Sequence, residues 1–306
     1  MKIKKDILIV GGTGFIGFHL AKSLIKKNWN VTSVSSKPAK KNRYLTKVNY
    51  IKCDINNQKL LKKKIKKVYP YIVNLGGYID HTDKRKTYNS HFKGCKNIVE
   101  SIKKKNIISF VQLGSSVEYG HIKSPQKEDK KSKPNLVKST YGIAKLSATN
   151  YLLKLYNKSK FPCSILRLYI AYGPNQDINR FIPIVINACI NKKKFPCSAG
   201  TQYRDFVYVE DVVRAIIKTL LNKKSNGEII NIGSGKPKKI KYLINKIKSI
   251  AKGGEPDFGK IKLRKDEILK LFPDISKAKK ILKWKPQVRF ESGLKKTIKY
   301  YNETSL

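Results

Sequence analysis

The chain has 306 residues, and its 67 Lys and Arg against 20 Asp and Glu give a formal net charge of +47 at pH 7. Hydrophobic residues make up 40% of the chain, which is too many for a disordered polycation. No apolar run approaches the ~18 residues that a membrane-spanning helix needs, so the sequence excludes an integral membrane protein. It indicates a globular chain with ample length for a core.

The positive charge is spread along the chain, as in Lys62–Lys64, Lys103–Lys105 and Lys192–Lys194. Most of these lysines fall in stretches with helical spacing, where they occupy the solvated face. A dedicated nucleic-acid surface would concentrate its charge on one face, so a general compositional bias is the favoured interpretation. A field of this sign still predicts non-specific binding of nucleic acid at low salt.

The cysteines are odd in number, widely spaced and without a CxxC pair: Cys53, Cys95, Cys163, Cys189 and Cys197. This pattern predicts reduced, mostly buried thiols in a cytoplasmic protein and argues against a zinc site. The first apolar run, Ile7–Val10, is too short for a secretory signal and predicts a first strand instead.

Short β-branched segments alternate with amphipathic helical segments over the first two-thirds of the chain. The predicted strands are Ile7–Val10, Asn30–Val34, Tyr50–Ile51, Tyr71–Asn74, Phe110–Leu113 and Ser164–Arg167. The predicted helices between them are Phe15–Lys27, Gln58–Lys67, His91–Lys104 and Tyr141–Lys158. This alternation predicts an α/β fold with a Rossmann-type, doubly wound parallel sheet. The irregular pattern beyond Tyr169 predicts a smaller C-terminal lobe, with residues 1–168 and 169–306 as two interleaved units.

A glycine-rich segment, Gly11–Gly17, follows the first predicted strand and opens a helix. Gly11, Gly14 and Gly17 allow a tight turn, close approach of the backbone to a pyrophosphate and close packing of helix on strand. The helix N-terminus supplies N–H groups to the phosphates. The segment therefore predicts a dinucleotide site, the alternative being an ordinary glycine-rich turn.

The end of the second strand bears on which dinucleotide is used, because an acidic residue there would bind the adenosine ribose and favour NAD. The chain has Ser35–Lys37 instead, followed by Lys40, Lys41 and Arg43. Hydroxyls and cations without a carboxylate suit a 2′-phosphate, which predicts NADP(H). NAD(H) is the alternative if these lysines belong to the general surplus. Asp54 is placed to reach the adenine or, alternatively, to cap the next helix.

Tyr141 and Lys145 lie four residues apart on a predicted helix, so both occupy one face. A tyrosine with the usual pKa of about 10 is a poor acid–base group at pH 7, and a neighbouring ammonium favours its phenolate form. Ser115, at the end of the strand before it, can hydrogen-bond a carbonyl or alkoxide. The three residues predict a proton-transfer site for hydride chemistry at an alcohol or ketone.

In this combination the chain resembles the extended short-chain dehydrogenase/reductases, in particular the nucleotide-sugar epimerases, dehydratases and reductases. The resemblance covers almost the whole chain. Besides the glycine segment it rests on Asp54, Asn74–Gly77, Gly114–Gly120, Tyr141, Lys145, Leu166–Tyr169, Tyr172–Pro174, Tyr203–Asp211, Asn231–Gly235 and Leu282–Pro286.

The resemblance implies an NAD(P)-binding first domain and a lobe that binds a nucleotide-diphosphate sugar. It implies a catalytic triad of Ser115, Tyr141 and Lys145. The cofactor would contact Gly11, Thr13, Gly14, Phe15, Ile16, Gly17, Ser35, Ser36, Lys37, Asp54, Ile55, Leu75, Gly76, Gly77, Tyr141 and Lys145. The substrate would contact Ser116, Arg180, Arg204 and Arg264, although Arg204 could instead form only an ion pair with Asp205. A homodimer through His91–Lys104 and Tyr141–Lys158 is also implied.

Positions where the chain departs from the family's sequence pattern reduce the number of possible reactions. Ser116 and Val117 replace the Asp-Glu pair of the 4,6-dehydratases, which argues against dehydration. Ile170 replaces a common asparagine that contacts the diphosphate, and His91 replaces a structural asparagine; a catalytic role for His91 or His81 is the minority interpretation. The favoured reaction is NADPH-dependent reduction of a nucleotide-linked 4-keto-6-deoxy sugar. The alternatives are an NAD-retaining C4 epimerase and, from another class, an RNA-binding protein on this scaffold.

Overall fold

The computed structural model describes residues 5–78, 80, 82–104, 106–128, 134–263 and 267–304. The strands are β1 (Asp6–Val10), β2 (Asn30–Ser35), β3 (Val48–Lys52), β4 (Tyr71–Asn74), β5 (Ser109–Ser115), β6 (Cys163–Leu168), β7 (Ile170–Tyr172), β8 (Lys194–Cys197), β9 (Tyr203–Arg204), β10 (Phe206–Tyr208), β11 (Ile229–Ile232), β12 (Lys238–Lys239), β13 (Glu255–Phe258) and β14 (Lys270–Leu271). The helices are α1 (Phe15–Ile25), α2 (Gln58–Lys64), α3 (Lys84–Tyr88), α4 (Gly94–Ser101), α5 (Thr140–Ser159), α6 (Phe181–Ile190), α7 (Val209–Leu220), α8 (Ile240–Ala251), α9 (Ser276–Leu282) and α10 (Phe290–Thr304).

Seven strands form one parallel sheet in the order β11–β6–β5–β4–β1–β2–β3. The chain runs outward from β1 to β3 and then returns to place β4 on the other side of β1. The carboxyl ends of β1 and β4 therefore meet, and the Leu75 amide donates to the Val10 carbonyl at 2.9 Å. Ligands of doubly wound sheets bind at such a reversal of strand order. The predicted fold class is confirmed.

Helices cover both faces of this sheet. On one face α1, α7 and α9 bury a cluster that includes Leu20, Leu24, Val212, Ile216 and Trp284. On the other face α2, α4 and α5 bury a cluster that includes Leu61, Ile98 and Leu152. Strands buried on both faces read as continuous apolar runs, which explains the sequence of β1.

A third core lies outside the sheet, among α6, α8 and α10. Its apolar residues include Ile186, Leu243, Ile244 and Leu294, all buried. Strand β11 lies between α7 and α8 in sequence but pairs with β6 at the edge of the main sheet. Residues beyond 168 therefore contribute to both parts of the molecule, and the division at residue 168 stays a prediction.

The predicted strands are confirmed, and the one substantial difference concerns the helix predicted over His91–Lys104. The helical segment begins earlier, at Lys84, where Asp83 caps it by accepting from the Lys86 amide at 2.9 Å. It then passes through a π-helical turn, Asn89–Lys93, and ends with α4. Such single-turn π-bulges occur often at functional sites, and this one contains His91.

All five cysteines are buried, as predicted. Burial raises the pKa of the Cys95 and Cys163 thiols to about 12, so both stay protonated at neutral pH. Within the described ranges, no group of three His, Cys, Asp or Glu side chains is placed to hold a metal ion. Within the same ranges, no helix has the length and apolarity to cross a bilayer.

Candidate active site

The glycine segment forms a tight turn between β1 and α1. Gly11 has a φ of +79°, and a Cβ there would lie 3.0 Å from the Gly76 amide nitrogen. A Cβ at Gly17 would lie 2.3 Å from the Gly11 carbonyl oxygen, so this glycine lets α1 pack on the turn. At Gly14 a Cβ would meet only that same oxygen, at 3.2 Å. The turn is therefore tightly packed at Gly11 and Gly17, whereas there is more space beside Gly14.

The N-terminus of α1 suits an anion. Its N-cap, Gly14, provides no side-chain cap, and the first helical turn contains no acidic residue. Unsatisfied N–H groups and the positive end of the helix dipole favour a phosphate here. The residues present therefore fit the pyrophosphate of a dinucleotide, with Thr13, Phe15 and Ile16 at the rim of the turn.

Ser35 and Lys37 lie beside the glycine turn. The Thr13 amide donates to Ser35 Oγ at 3.4 Å, and Thr13 Oγ1 donates to the Lys37 carbonyl at 3.5 Å. Ser36 and Lys37 are exposed, while Ser35 is buried. The end of β2 thus lies beside the glycine turn, and the assignment of these residues to the adenosine side of the site stays a prediction.

Two of the cations expected at this end are bound elsewhere. Arg43 is only 4% exposed, and its guanidinium donates to the Asn175 carbonyl and to Asp177 Oδ1, the latter at 3.1 Å. Lys40 Nζ donates to the same Asp177 oxygen at 2.7 Å. Burial opposes the charge on Asp177, but these two cations outweigh it and lower the pKa of the carboxyl. Both cations therefore hold the loop after β7.

Asp54, Ile55 and Leu75–Gly77 follow β3 and β4. Asp54 Oδ1 accepts from the Asn56 amide at 2.9 Å, and it is Asn57 that caps α2. Ile55 is buried, and its side chain limits the space at Gly76. The alternative role of Asp54 as the cap of α2 is therefore wrong, and the residue stays a candidate for the adenine.

Ser115, Tyr141 and Lys145 come together at the carboxyl end of β5. Lys145 is 4% exposed; its Nζ donates to the Leu113 carbonyl at 2.7 Å and lies 5.8 Å from the centre of the Tyr141 ring. Ser115 is buried and terminates the same strand as Leu113. Ser139 caps α5 by accepting from the Gly142 amide, which fixes the first turn that carries Tyr141.

His91 packs against Tyr141. The two rings meet edge to face, with centroids 4.9 Å apart and an interplanar angle of 75°. His91 Nε2 donates to the Tyr78 carbonyl at 3.0 Å, because a carbonyl can only accept. A Cβ at Gly77 would lie 1.9 Å from the His91 ring, so this ring fills the space of a side chain there. These contacts agree with the interpretation of His91 as a packing residue. His81 lies outside the described residues.

Two of the predicted substrate residues, Arg204 and Arg180, line cavities. Arg204 lines a cavity of about 210 Å³, together with Val117, His121 and Glu267. Its guanidinium pairs with Glu267 and donates to the carbonyls of Tyr203 and Ile268 at 2.8 and 2.7 Å. The partner of Arg204 is thus Glu267; Asp205 instead accepts from Ser234. The alternative of an Arg204–Asp205 ion pair is therefore wrong.

Arg180 lies at the start of α6 and lines the second cavity, of about 300 Å³, together with Ile170, Gln176 and Phe181. The cavity wall contains Ile170 where the family has an asparagine, so it is more apolar than expected. Ser116 is buried in the turn after Ser115. Arg264 lies outside the described residues.

Some residues of this region had no role in the sequence analysis. Glu118, Thr149 and Arg167 form a buried cluster behind Ser115, and Asp177 binds the cations of the adenosine side. Glu118 and Arg167 stood in motifs of the resemblance, and a Ser-x-x-Glu spacing is a signal for a capping box. Neither Thr149 nor Asp177 carried any sequence signal.

Known proteins resemble this chain over nearly its whole length. The model described as "NAD dependent epimerase/dehydratase family" matches residues 7–233. A protein of Methanocaldococcus jannaschii described as "Putative UDP-glucose 4-epimerase" is 32% identical, over 96% of this chain and 97% of that protein. A UDP-glucuronate 4-epimerase of Thermodesulfobacterium geofontis is 28% identical, over 97% of this chain and 96% of that protein.

Solved structures agree with this. The UDP-glucose 4-epimerase of Thermotoga maritima with UDP-glucose has a TM-score of 0.91 at 26% identity, covering 98% of this chain and all (100%) of that one. The UDP-glucuronic acid 4-epimerase of Bacillus cereus, with UDP-glucuronic acid and NAD, has a TM-score of 0.85 at 27% identity, covering 98% and 99%. The chain belongs to the NAD-dependent epimerase/dehydratase family of nucleotide-sugar enzymes.

Proposed function

We propose that the protein is a UDP-sugar 4-epimerase that retains NAD. The observation that carries the choice of cofactor is the pairing of Lys40 and Arg43 with Asp177, which engages two of the cations that a 2′-phosphate would need. Relatives named as 4-epimerases support the reaction. The sequence alone favours NADP(H) and a reductase, whereas the contacts of Lys40 and Arg43 favour the alternative, an epimerase that retains NAD.

The proposed roles follow from the geometry of the triad. NAD held at the glycine turn of Gly11, Gly14 and Gly17 would supply a hydride acceptor for C4 of the sugar and a hydride donor for the opposite face of the resulting ketone, which would invert that carbon. Tyr141, half-buried above Lys145, takes the proton of the sugar 4-hydroxyl and later gives it back. The proposed role of Lys145 is to hold a positive charge beside the tyrosine, 5.8 Å from the centre of its ring. Ser115 donates a hydrogen bond to the same sugar oxygen. This hydrogen bond stabilises the negative charge that develops on the oxygen as its O–H bond breaks.

The diphosphate of the substrate is proposed to bind at Arg204, which lines the first cavity. The guanidinium of Arg204 is paired with Glu267, so this proposal requires the pair to open when the diphosphate binds. A diphosphate offers the oxygens that a guanidinium binds bidentately. Arg180 at the other cavity is a second candidate, and Ser116 lies beside Ser115 at the sugar end. We include Arg264 in this proposal from the sequence alone.

The first test is the identity of the nucleotide released when purified protein is denatured. Near-stoichiometric NAD, together with interconversion of UDP-glucose and UDP-galactose or of the corresponding glucuronic acids, is the expected result. An empty site with much tighter binding of NADPH than of NADH would contradict the proposal.

A reductase is the second candidate, and one observation favours it. Ser35, Ser36 and Lys37 at the end of β2 present hydroxyls and a cation, with no carboxylate among them. Such an enzyme would oxidise NADPH with a nucleotide-linked 4-keto-6-deoxy sugar, Tyr141 donating the proton. Oxidation of NADPH on addition of such a sugar, with no NAD released from the denatured protein, would establish the reductase.

We also propose a homodimer that forms through α4 and α5. Ile143 on α5 is 42% exposed, and Phe92, in the π-helical turn before α4, packs against Tyr151 of α5. Light scattering at ~150 mM salt is expected to give twice the chain mass of 35.0 kDa. A monomer at micromolar concentration would contradict this.

A further inference from the structure

Glu118 lies fully buried behind Ser115, and its carboxylate accepts three hydrogen bonds. Oε1 accepts from the Ser115 amide at 2.7 Å. Oε2 accepts from Thr149 Oγ1 at 2.7 Å and from Arg167 Nε at 3.1 Å. A buried carboxylate is costly unless its oxygens are satisfied in this way. Both oxygens of the Glu118 carboxylate are therefore hydrogen-bonded within this cluster.

The three donors belong to three different elements. Ser115 ends β5, and Arg167 lies on the adjacent strand β6. Thr149 lies on α5, one turn beyond Lys145 and two turns beyond Tyr141, hence on the same face of that helix. One carboxylate thus connects the strand that carries the serine to the helix that carries the tyrosine and the lysine.

The local sequence is adapted to this carboxylate. Ser115 and Glu118 form a capping box around the turn Ser116–Tyr119. A Cβ at Gly114 would lie 2.5 Å from Glu118 Oε1, so only glycine lets the carboxylate approach the strand. Ser115 Oγ accepts from the Val117 amide only weakly, at 3.5 Å. The backbone of Ser115 is therefore held by Glu118, while its hydroxyl hydrogen is available for a substrate oxygen.

Arg167 balances the charge of Glu118. It is 2% exposed, and its guanidinium lies 4.2 Å from the centre of the Tyr119 ring. Burial opposes the charge on Arg167, but Glu118 and Tyr119 outweigh it and raise its pKa. Tyr119 is fixed in turn by donating to Asn231 Oδ1 at 2.8 Å. The geometry of the pair is therefore held from both sides.

We infer that Glu118 is a positioning residue for the reaction: it sets the place of Ser115 relative to Tyr141 and Lys145. The inference rests on the proposed roles of those three residues. A misplacement of reacting groups by about 1 Å can cost on the order of 100-fold in rate, and loss of the carboxylate would shift the Ser115 backbone on this scale. Glu118 touches no substrate and acts only through the groups that it holds.

The test compares kcat and KM of Glu118→Gln and Thr149→Val with those of the wild-type holoenzyme. Glu118→Gln is expected to lower kcat about 100-fold and to leave KM within about threefold, since substrate binding does not involve it. Thr149→Val, which removes one hydrogen bond and no charge, is expected to lower kcat about fivefold. If Glu118→Gln fails to fold, Thr149→Val carries the test.

Asp211→Asn is the matched control. Asp211 is also fully buried and also accepts backbone amides, from Gln287 and Val288 at 2.8 and 3.0 Å, but it lies on α7. This variant is expected to lose thermal stability and keep kcat. If the Glu118 and Thr149 variants behave in the same way, their role is structural and the inference is overturned.

A double variant shows whether Glu118 acts through Ser115. In a Ser115→Ala background, Glu118→Gln or Thr149→Val is expected to lower kcat by less than about threefold further, because the group being positioned is already gone. A full additional loss would overturn the inference.

The amide resonance of Ser115 in serine-labelled protein provides a readout without turnover. Glu118→Gln is expected to move it upfield, because a hydrogen bond to a charged acceptor is lost. An unmoved resonance would overturn the inference. An inactive wild-type enzyme with a moved resonance would contradict the proposed function alone.

Discussion

The two ends of the candidate cofactor site are built differently. At the catalytic end Ser115 and Lys145 are buried, and each is held by a buried partner or a main-chain carbonyl. At the adenosine end Ser36 and Lys37 are exposed, and the neighbouring cations bind the loop around Asp177. The residues proposed for the chemistry are therefore positioned by buried, directional contacts. The proposed choice of cofactor instead rests on which cations near β2 are already paired, in a chain that has lysine almost everywhere.

The strongest test of the catalytic end is Tyr141→Phe. Removing the proton-transferring hydroxyl is expected to lower kcat about 1,000-fold, while the aromatic ring keeps its contact with His91. Single-turnover assays with the NAD content measured in parallel check this. A loss below tenfold at unchanged NAD content would show that another group transfers the proton.

The glycine turn between the two ends gives the next largest effect. A methyl group at Gly17 would lie 2.3 Å from the Gly11 carbonyl oxygen, whereas at Gly14 the same distance is 3.2 Å. Gly17→Ala is therefore expected to lower the free energy of unfolding by about 1–3 kcal/mol and to lose the cofactor. Gly14→Ala, the matched control, is expected to keep its stability in the absence of cofactor and to bind the cofactor more weakly. Thermal unfolding with and without NAD separates the two, and equal stabilities of the two variants would contradict the packing argument.

The sequence was informative wherever backbone geometry demands a particular residue. Gly11 needs its positive φ, and the buried strand β1 needs an unbroken apolar run, so both could be predicted from the local sequence. The helix before α4 was missed in part because its start depends on Asp83, whose capping bond is one of many that an isolated Asp can form. The π-helical turn carries no signal of its own.

The candidate site was predictable up to the point where residues distant in sequence meet. Tyr141 and Lys145 share a face by spacing alone, whereas the bond of Thr149 to Glu118 depends on how α5 packs on the end of β5. Arg43 illustrates the same limit more sharply. From sequence it is one more cation near the ribose, and only the fold brings Asp177, 134 residues away, into contact with it.

Asp177→Asn tests the adenosine end directly. Loss of the carboxylate charge is expected to release Lys40 and weaken the hold on Arg43, so that both can approach a 2′-phosphate. The ratio of the NADP to the NAD dissociation constant is expected to fall by up to about fivefold, the scale of a partly exposed ion pair. Lys86→Gln, on α3 and paired with Asp83, serves as a control for a general loss of ion pairs. An unchanged ratio in Asp177→Asn would remove the main argument for NAD.

The smallest effect concerns His19, which joins α1 to the loop after β7. Its Nε2 donates to the Pro174 carbonyl at 2.8 Å, and burial lowers the pKa of the imidazole below 6.5. The unfolded chain therefore binds the proton more readily than the folded protein does. Above pH ~6.5 the histidine is neutral in both states and does not change the free energy of unfolding. As the pH falls from there towards the folded-state pKa, the free energy of unfolding decreases. His19→Gln keeps a donor for Pro174 but does not titrate in this range. Between pH 7.5 and 5.5 the melting temperature of the wild type is expected to fall by about 2 °C more than that of the variant. An equal fall in melting temperature for the wild type and the variant would show that the contact between α1 and this loop does not depend on the charge of His19. The loop would then be held in this pH range by its contacts with Arg43 and Lys40.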